Sequence, residues 1–201
     1  MNHKPYSLAG MLAIAAAVLV LPLIPLGFGV DLMIDRKPDV AVVLLLPYLV
    51  AGVCQVFCAL FAFGRLKTFL NERFQFHETD QLIIAIIIGT AVLSGVALGA
   101  RAFFAFGMAP RSMAVMSVVI ILMIALPLAV LSIVFAVKLL RLPSTLNGLL
   151  KPYCYITIAA ATCFVTLILA PIGLLLDAAS NVLLGLIFLR PPEPTPEPEF
   201  V

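Results

Sequence analysis

Between Lys4 and Asp31 the chain runs for 26 residues without a charged side chain, and four more uncharged stretches of at least 20 residues follow it. At a rise of about 1.5 Å per residue, roughly 20 apolar residues cover the ~30 Å hydrocarbon core of a bilayer, so each stretch is long enough to span. Inside lipid every backbone N–H and C=O must be paired within the protein, which leaves helices as the structure for uninterrupted apolar runs of this length. The spans read Leu8 to Val30, Val40 to Gly64, Gln81 to Ala100, Ser112 to Val137 and Pro152 to Leu176, with a shorter apolar run from Ala178 to Leu189. The expected fold is all-α: a polytopic integral membrane helix bundle of five long spans plus a short C-terminal apolar helix that is re-entrant, interfacial or a sixth span.

Of 201 residues, 64% are hydrophobic and 11% charged, against about 25% charged in soluble domains. The spans use most of the chain, so residues 1–190 form one transmembrane domain and no folded extramembrane core is expected. The tail 191–201, with its PPEPTPEPE run, is expected to be disordered and of polyproline II character. A net charge of +2 lacks the clustered basic surface that nucleic acid requires, and that partner class is excluded. Lys4 before an apolar run resembles a secretory signal, but the run is too long for one and is expected to stay as the first span. Cys54, Cys58, Cys154 and Cys163 all fall inside apolar stretches and read as small buried hydrophobes.

Pro152 to Leu189 as a single helix would be nearly 60 Å long, about twice the bilayer core, so it must break. Pro171 and Gly173 mark the expected place, because proline removes a backbone donor and clashes with the preceding turn. Charge placement gives orientation. Lys4, Arg65, Lys67, Arg73, Lys138, Arg141 and Lys151 lie on one side, against Arg36, Lys37, Arg101 and Arg111 on the other. The richer side, which holds the N-terminus, is expected to be cytoplasmic. Arg190 joins it if the last helix returns. With no Asn-x-Ser/Thr acceptor in the chain, a bacterial inner membrane is a compatible location.

In the segment Arg65 to Asp80, Leu66, Phe69, Leu70 and Phe74 share one helical face while Arg65, Lys67 and Arg73 take the rest. This pattern describes either a basic linker or a helix lying in the headgroup layer, with Arg65, Lys67, Phe69, Arg73 and Phe74 as interfacial candidates. Thr79 or Asp80 then offers an N-cap for the third span. In that span Ala91, Gly95 and Gly99 recur every fourth residue and form a candidate helix-packing seam, within the bundle or toward a partner.

Catalytic chemistry finds little purchase. His3 and His77 both lie outside the spans, which excludes a haem held by two intramembrane histidines. No metal-ligand spacing and no other cofactor motif occurs, so metal, cofactor and catalytic sites are all expected to be absent. Ser94, Ser117 and Ser132 show no base at matching depth, and the span hydroxyls can bond their own helix carbonyls. Asp177 is the one carboxylate in apolar surroundings, with Asn181 one turn later as a hydrogen-bonding neighbour. An ionisable group there is either functional or a carboxylate stabilised near a helix N-terminus just past the break, and the sequence favours the second. By elimination the expected role is binding without chemistry: an accessory subunit or interaction partner in a membrane complex, such as an immunity protein against a membrane-targeting toxin. Its partners would then be the lipid bilayer and another membrane protein or a second copy of itself. The alternative is an oligomeric channel or small transporter, which on this reading needs several copies to enclose a polar path.

Overall fold

The computed structural model describes residues 4–34, 36–108, 112–142, 148–166 and 169–190. The tail 191–201 lies outside them. Six helices account for most of the described chain: α1 (Lys4–Met33), α2 (Pro38–Phe74), α3 (Asp80–Ala105), α4 (Ser112–Leu139), α5 (Leu150–Val165) and α6 (Ala170–Leu189). Five of them are long and apolar enough to cross a membrane, with α5 the shorter sixth, so this is a multi-pass helical membrane bundle. The connection between α2 and α3 is a five-residue turn, shorter than the loop drawn from charge alone, because α2 runs ten residues past Gly64.

The short helix is not the one expected. The apolar stretch 152–176 divides before Pro171 rather than at it, and Pro171 becomes a first-turn residue of α6. A first-turn proline lacks only an N–H that would have no intrahelical partner, and its fixed φ suits the helix. The residues after the proline therefore join the second helix, making α6 20 residues long and leaving α5 at 16.

Each helix packs against its neighbours in sequence, and α6 packs back on α1, which closes the set into a ring. Successive helices run antiparallel. Tyr6 of α1 meets Phe69 of α2 and Phe188 of α6, Lys67 of α2 meets Asp80 of α3, and Thr157 of α5 meets Ser180 of α6. The start of α1 and the end of α6 consequently share one face, here called the N-terminal face.

The ring is unequal at its two ends. At the N-terminal face one continuous core draws on all six helices, including Ala13, Leu66, Ile83, Phe135, Tyr153 and Leu184. At the opposite face the buried cluster is Val30, Leu45, Tyr48 and Ala105, from α1 to α3 alone. In α4 no described side chain from Met113 to Pro127 is buried, whereas Leu128, Ala129, Phe135, Ala136 and Leu139 all are. Its outer half is the more exposed, and Pro127 lies at the transition. The outward faces are apolar: Val43, Leu46, Val50, Val53 and Phe57 form an exposed stripe along α2. A stripe of that length would drive aggregation in water and is an ordinary lipid-facing surface in a bilayer.

The segment from Arg65 onward is the end of α2, not a separate helix in the headgroup layer. Leu66, Phe69 and Leu70 are buried and Phe74 packs against the same core. The helix is unbroken at Gly64, so these residues extend the inward stripe Ala41, Leu45, Tyr48 and Gly52 by further turns. Phe69 and Phe74 are thus corrected from interfacial to core positions. Arg65 and Arg73 are exposed, their guanidinium groups 5.2 Å from the Phe61 ring and 5.3 Å from the Phe69 ring, while Lys67 reaches Asp80 at 3.7 Å. Thr79 occupies the N-cap of α3 without a side-chain cap bond. That helix start is tied instead by Asn71, whose Nδ2 donates to Asp80 Oδ2 at 3.0 Å.

The expected seam also needs correction as an internal contact. A Cβ added at Gly95 or Gly99 would meet nothing within 4 Å, and Ala91 is exposed, so no helix of this chain packs there. Close backbone approach occurs between α1 and α6, where a Cβ at Gly185 would lie 2.8 Å from the Gly10 carbonyl oxygen and 2.6 Å from Ile14.

Candidate functional site

The inward faces of α2 to α6 leave a cavity of about 310 Å³, within the size range of small-molecule sites, roughly 300–1,000 Å³. Most of its wall is aliphatic or aromatic. Set into that wall are Gln55 from α2, Thr90 and Ser94 from α3, Ser132 from α4, Tyr153 and Thr157 from α5, and Asp177, Ser180 and Asn181 from α6. Polar residues spread across 127 positions of sequence thus converge on one space inside a bundle whose exterior is apolar.

Each helix places its polar groups by register. Thr90 and Ser94 are four residues apart on α3, and Asp177, Ser180 and Asn181 fall within little more than one turn of α6, so each set shares a face. Several hydroxyls are anchored to their own helix as expected. Ser132 Oγ donates to the Leu128 carbonyl at 2.9 Å, and Thr157 Oγ1 to the Tyr153 carbonyl at 2.8 Å. Thr157 Oγ1 also lies 3.3 Å from Ser180 Oγ, which pins α5 to α6 beside the cavity. Ser117, at an outer position of α4, bonds the Ala114 carbonyl at 2.8 Å and does not line the cavity.

Asp177 stands in a different place from the one the sequence favoured. It is seven residues after Ala170, the first residue of α6, or ~10 Å along the axis at the helical rise. The stabilising field of a helix N-terminus fades within the first turn, so it does not account for this carboxylate. Asp177 lines the cavity together with Ser94 and Ser132, across it from them, since α6 packs mainly on α1 and α5 and not on the helices that carry those serines. Its side-chain partner is the neighbour the spacing suggested: Asn181 Nδ2 lies 3.3 Å from Asp177 Oδ2 and donates to the Asp177 carbonyl at 3.0 Å.

The cavity is closed toward the N-terminal face. Phe63 and Phe135 meet with ring centroids 5.3 Å apart at its floor. Below them Phe69 and Phe188 make an edge contact at 5.5 Å, joined by Tyr6. Polar ties reinforce that end: Tyr6 hydrogen-bonds Glu72, and Lys138 Nζ donates to the Glu78 carbonyl at 3.3 Å. At the other face one clamp holds α1 to α3. Arg101 pairs with Asp31 at 3.0 Å, hydrogen-bonds the Tyr48 hydroxyl and lies over its ring. Nothing equivalent among the described residues ties α4 there.

The lining includes no histidine, lysine or arginine, so no nucleophile there stands beside a base of the usual kind. No group of three or more His, Cys, Asp or Glu side chains comes together among the described residues. Gln55 faces the cavity between Cys54, which is exposed, and the partly buried Cys58. What the arrangement can do is hold a molecule that is mostly apolar and carries one polar end. Thr90, Ser94, Ser132 and Thr157 were visible in sequence as separate span hydroxyls, and the one local signal of the site was the Asp177, Asn181 spacing, which did not extend to Ser180, Tyr153 or Gln55.

Comparison with protein-family models, curated proteins and solved structures returns no match for this chain.

Proposed function

We propose that this protein acts by binding a small amphiphilic molecule within the membrane, in the cavity that its ring of helices encloses, and performs no covalent chemistry of its own. One observation carries the reading. Nine polar side chains from five helices converge on a space of about 310 Å³, although apolar residues would pack such a bundle with less desolvation cost. Asp177 weighs most among them, because an ionisable group inside a membrane bundle marks a ligand or ion pathway by default, whereas Ser132 and Thr157 bond carbonyls of their own helices. Binding without chemistry agrees with the reading from sequence, but its object shifts from another membrane protein to a small molecule. The accessory and immunity-protein versions depend on outward surfaces, where the Ala91, Gly95 and Gly99 seam stands open on α3 but no polar or charged cluster accompanies it among the described residues.

A second reading, transport of the bound molecule, is favoured by the unequal ends. Aromatic rings pack beneath the cavity at the N-terminal face, while the outer half of α4, before Pro127, carries no fully buried side chain among its described residues. On this reading a single copy encloses the polar path, so oligomerisation is not needed for it. The proposed setting is a cell inner membrane with the N-terminal face cytoplasmic. With α6 returning, that face holds eight basic residues against four.

The test fills the cavity. Ala125 and Ala59 line it without being buried, so Ala125→Phe and Ala59→Phe would occupy the space with little overpacking. Protein purified in a mild detergent should carry a small molecule detectable by native mass spectrometry, and both variants should lose it while remaining folded and monodisperse, with the parent's helical circular-dichroism signal. The same bound complement in folded parent and variants would refute the site.

A further inference from the structure

We propose that the molecule taken by this cavity is an organic cation with an apolar body, its positive centre held against the Asp177 carboxylate. The inference rests on reading the cavity as a ligand site and adds the charge and shape of the ligand. Of the residues lining the space, Asp177 alone is a carboxylate, and none is basic. No salt bridge reaches it among the described residues, and the one side-chain hydrogen bond it receives is the 3.3 Å contact from the neutral Asn181 amide. A carboxylate without a positive partner in a water-poor interior is costly, and a bound cation offsets that cost where a neutral or anionic ligand does not.

A second feature points the same way. Phe63, Phe135, Tyr153 and Phe164 also line the cavity, and the faces of aromatic rings attract cations, most strongly when water is excluded. Carboxylate and rings together select for positive charge and against negative charge. The remainder of the wall, with Leu60, Ile86, Ile87, Leu93, Leu128 and Leu174, rewards burial of hydrocarbon. A small inorganic cation gains nothing from that wall and would need several convergent oxygens to replace its hydration shell. A quaternary or protonated amine carrying an aryl or alkyl group matches both parts, and such a molecule also partitions into the bilayer.

The experiment uses the full chain in an uncharged detergent and three probes of nearly the same shape: benzyltrimethylammonium, its neutral carbon isostere neopentylbenzene, and the anion phenylmethanesulfonate. A ligand that binds the folded state raises the unfolding midpoint with concentration. Benzyltrimethylammonium should do so at concentrations at least tenfold lower than neopentylbenzene, and the sulfonate should have no effect. Asp177→Asn should weaken the cation at least tenfold without changing the response to the neutral isostere, and Asp177→Glu should keep cation binding. Equal potency of cation and isostere on the parent protein would overturn the proposal while leaving the cavity reading standing, and this comparison needs no variant to fold. A folded Asp177→Asn protein that binds the cation as well as the parent would overturn it too. If none of the three probes shifts the parent, this proposal fails together with the reading of the cavity as a site for small amphiphiles.

Discussion

Arg101 shows how much a single side chain depends on what the fold brings to it. In sequence it is a basic residue near a span end, one of four that define the less basic side. In the structure its guanidinium is shared between Asp31 and Tyr48, and Gly27 leaves the room: a Cβ there would come within 3.1 Å of Arg101 Nη1 and 3.3 Å of the Tyr48 ring. The planar, five-donor guanidinium can bond a carboxylate, bond a phenol and stack on a ring at once, which a lysine ammonium cannot do. Arg101→Lys should therefore lower stability, by about 1 kcal/mol because both charged partners are partly solvated. Gly27→Val should match or exceed that loss by displacing the guanidinium. Chemical unfolding in mixed micelles, with Arg36→Lys as a control at an exposed charge outside the clamp, would check both. An Arg101→Lys protein as stable as its parent would show that the clamp contributes nothing.

At the scale of helices, the two sets of small residues have opposite fates. Gly95 and Gly99 face outward with open space around them, whereas Gly10 and Gly185 sit where α1 crosses α6 at backbone contact. A side chain added at the crossing must push two helices apart, at a typical overpacking cost of about 1–3 kcal/mol. A methyl added in open space on a helix gains propensity instead, about 0.5–1 kcal/mol. Gly185→Ala should thus lower the aggregation temperature in detergent, and Gly95→Ala should leave it unchanged or raise it. The reverse ranking would show that α3, not α1, makes the close helix contact. The same logic explains the break before α6. Proline is tolerated at a helix start, so the chain divides in front of Pro171, and α5 rather than the last helix becomes the short one.

For the whole molecule, closure of the ring decides sidedness. With α1 and α6 antiparallel, Arg190 follows the end of α6 onto the face where the chain begins, and the basic residues divide eight to four. By the bias of positive charge toward the cytoplasm, the exposed turn carrying His77 should face inward. With Cys54, Cys58, Cys154 and Cys163 replaced by alanine, a cysteine introduced at His77 should resist a membrane-impermeant thiol reagent in intact cells and react after permeabilisation. Labelling in intact cells would reverse the orientation. The uneven core belongs to this scale as well. The larger buried cluster draws on six helices toward the N-terminal face and the smaller one, at the other face, on α1 to α3, while α5 and α6 approach closely there at Gly173 against Cys163 and Phe164.

Membrane residence, the all-helical class and the number of apolar helices were legible from sequence because each depends on local facts: run length, absence of charge, and the demand that lipid places on backbone hydrogen bonds. The Asp177–Asn181 contact was legible for the same reason, since a helix fixes neighbours four residues apart. The cavity was not. Gln55, Ser94, Ser132, Thr157 and Asp177 lie on five different helices, and in a chain apolar on every face the hydrophobic pattern does not distinguish a side chain turned to lipid from one turned inward. Register inside the bundle is set by packing, by Gly10 against Gly185 and Phe63 against Phe135, and by ties such as Arg101 to Asp31. Only those tertiary contacts decide which hydroxyls face lipid, which face one another, and that one carboxylate lines the same cavity as Phe63, Phe135, Tyr153 and Phe164.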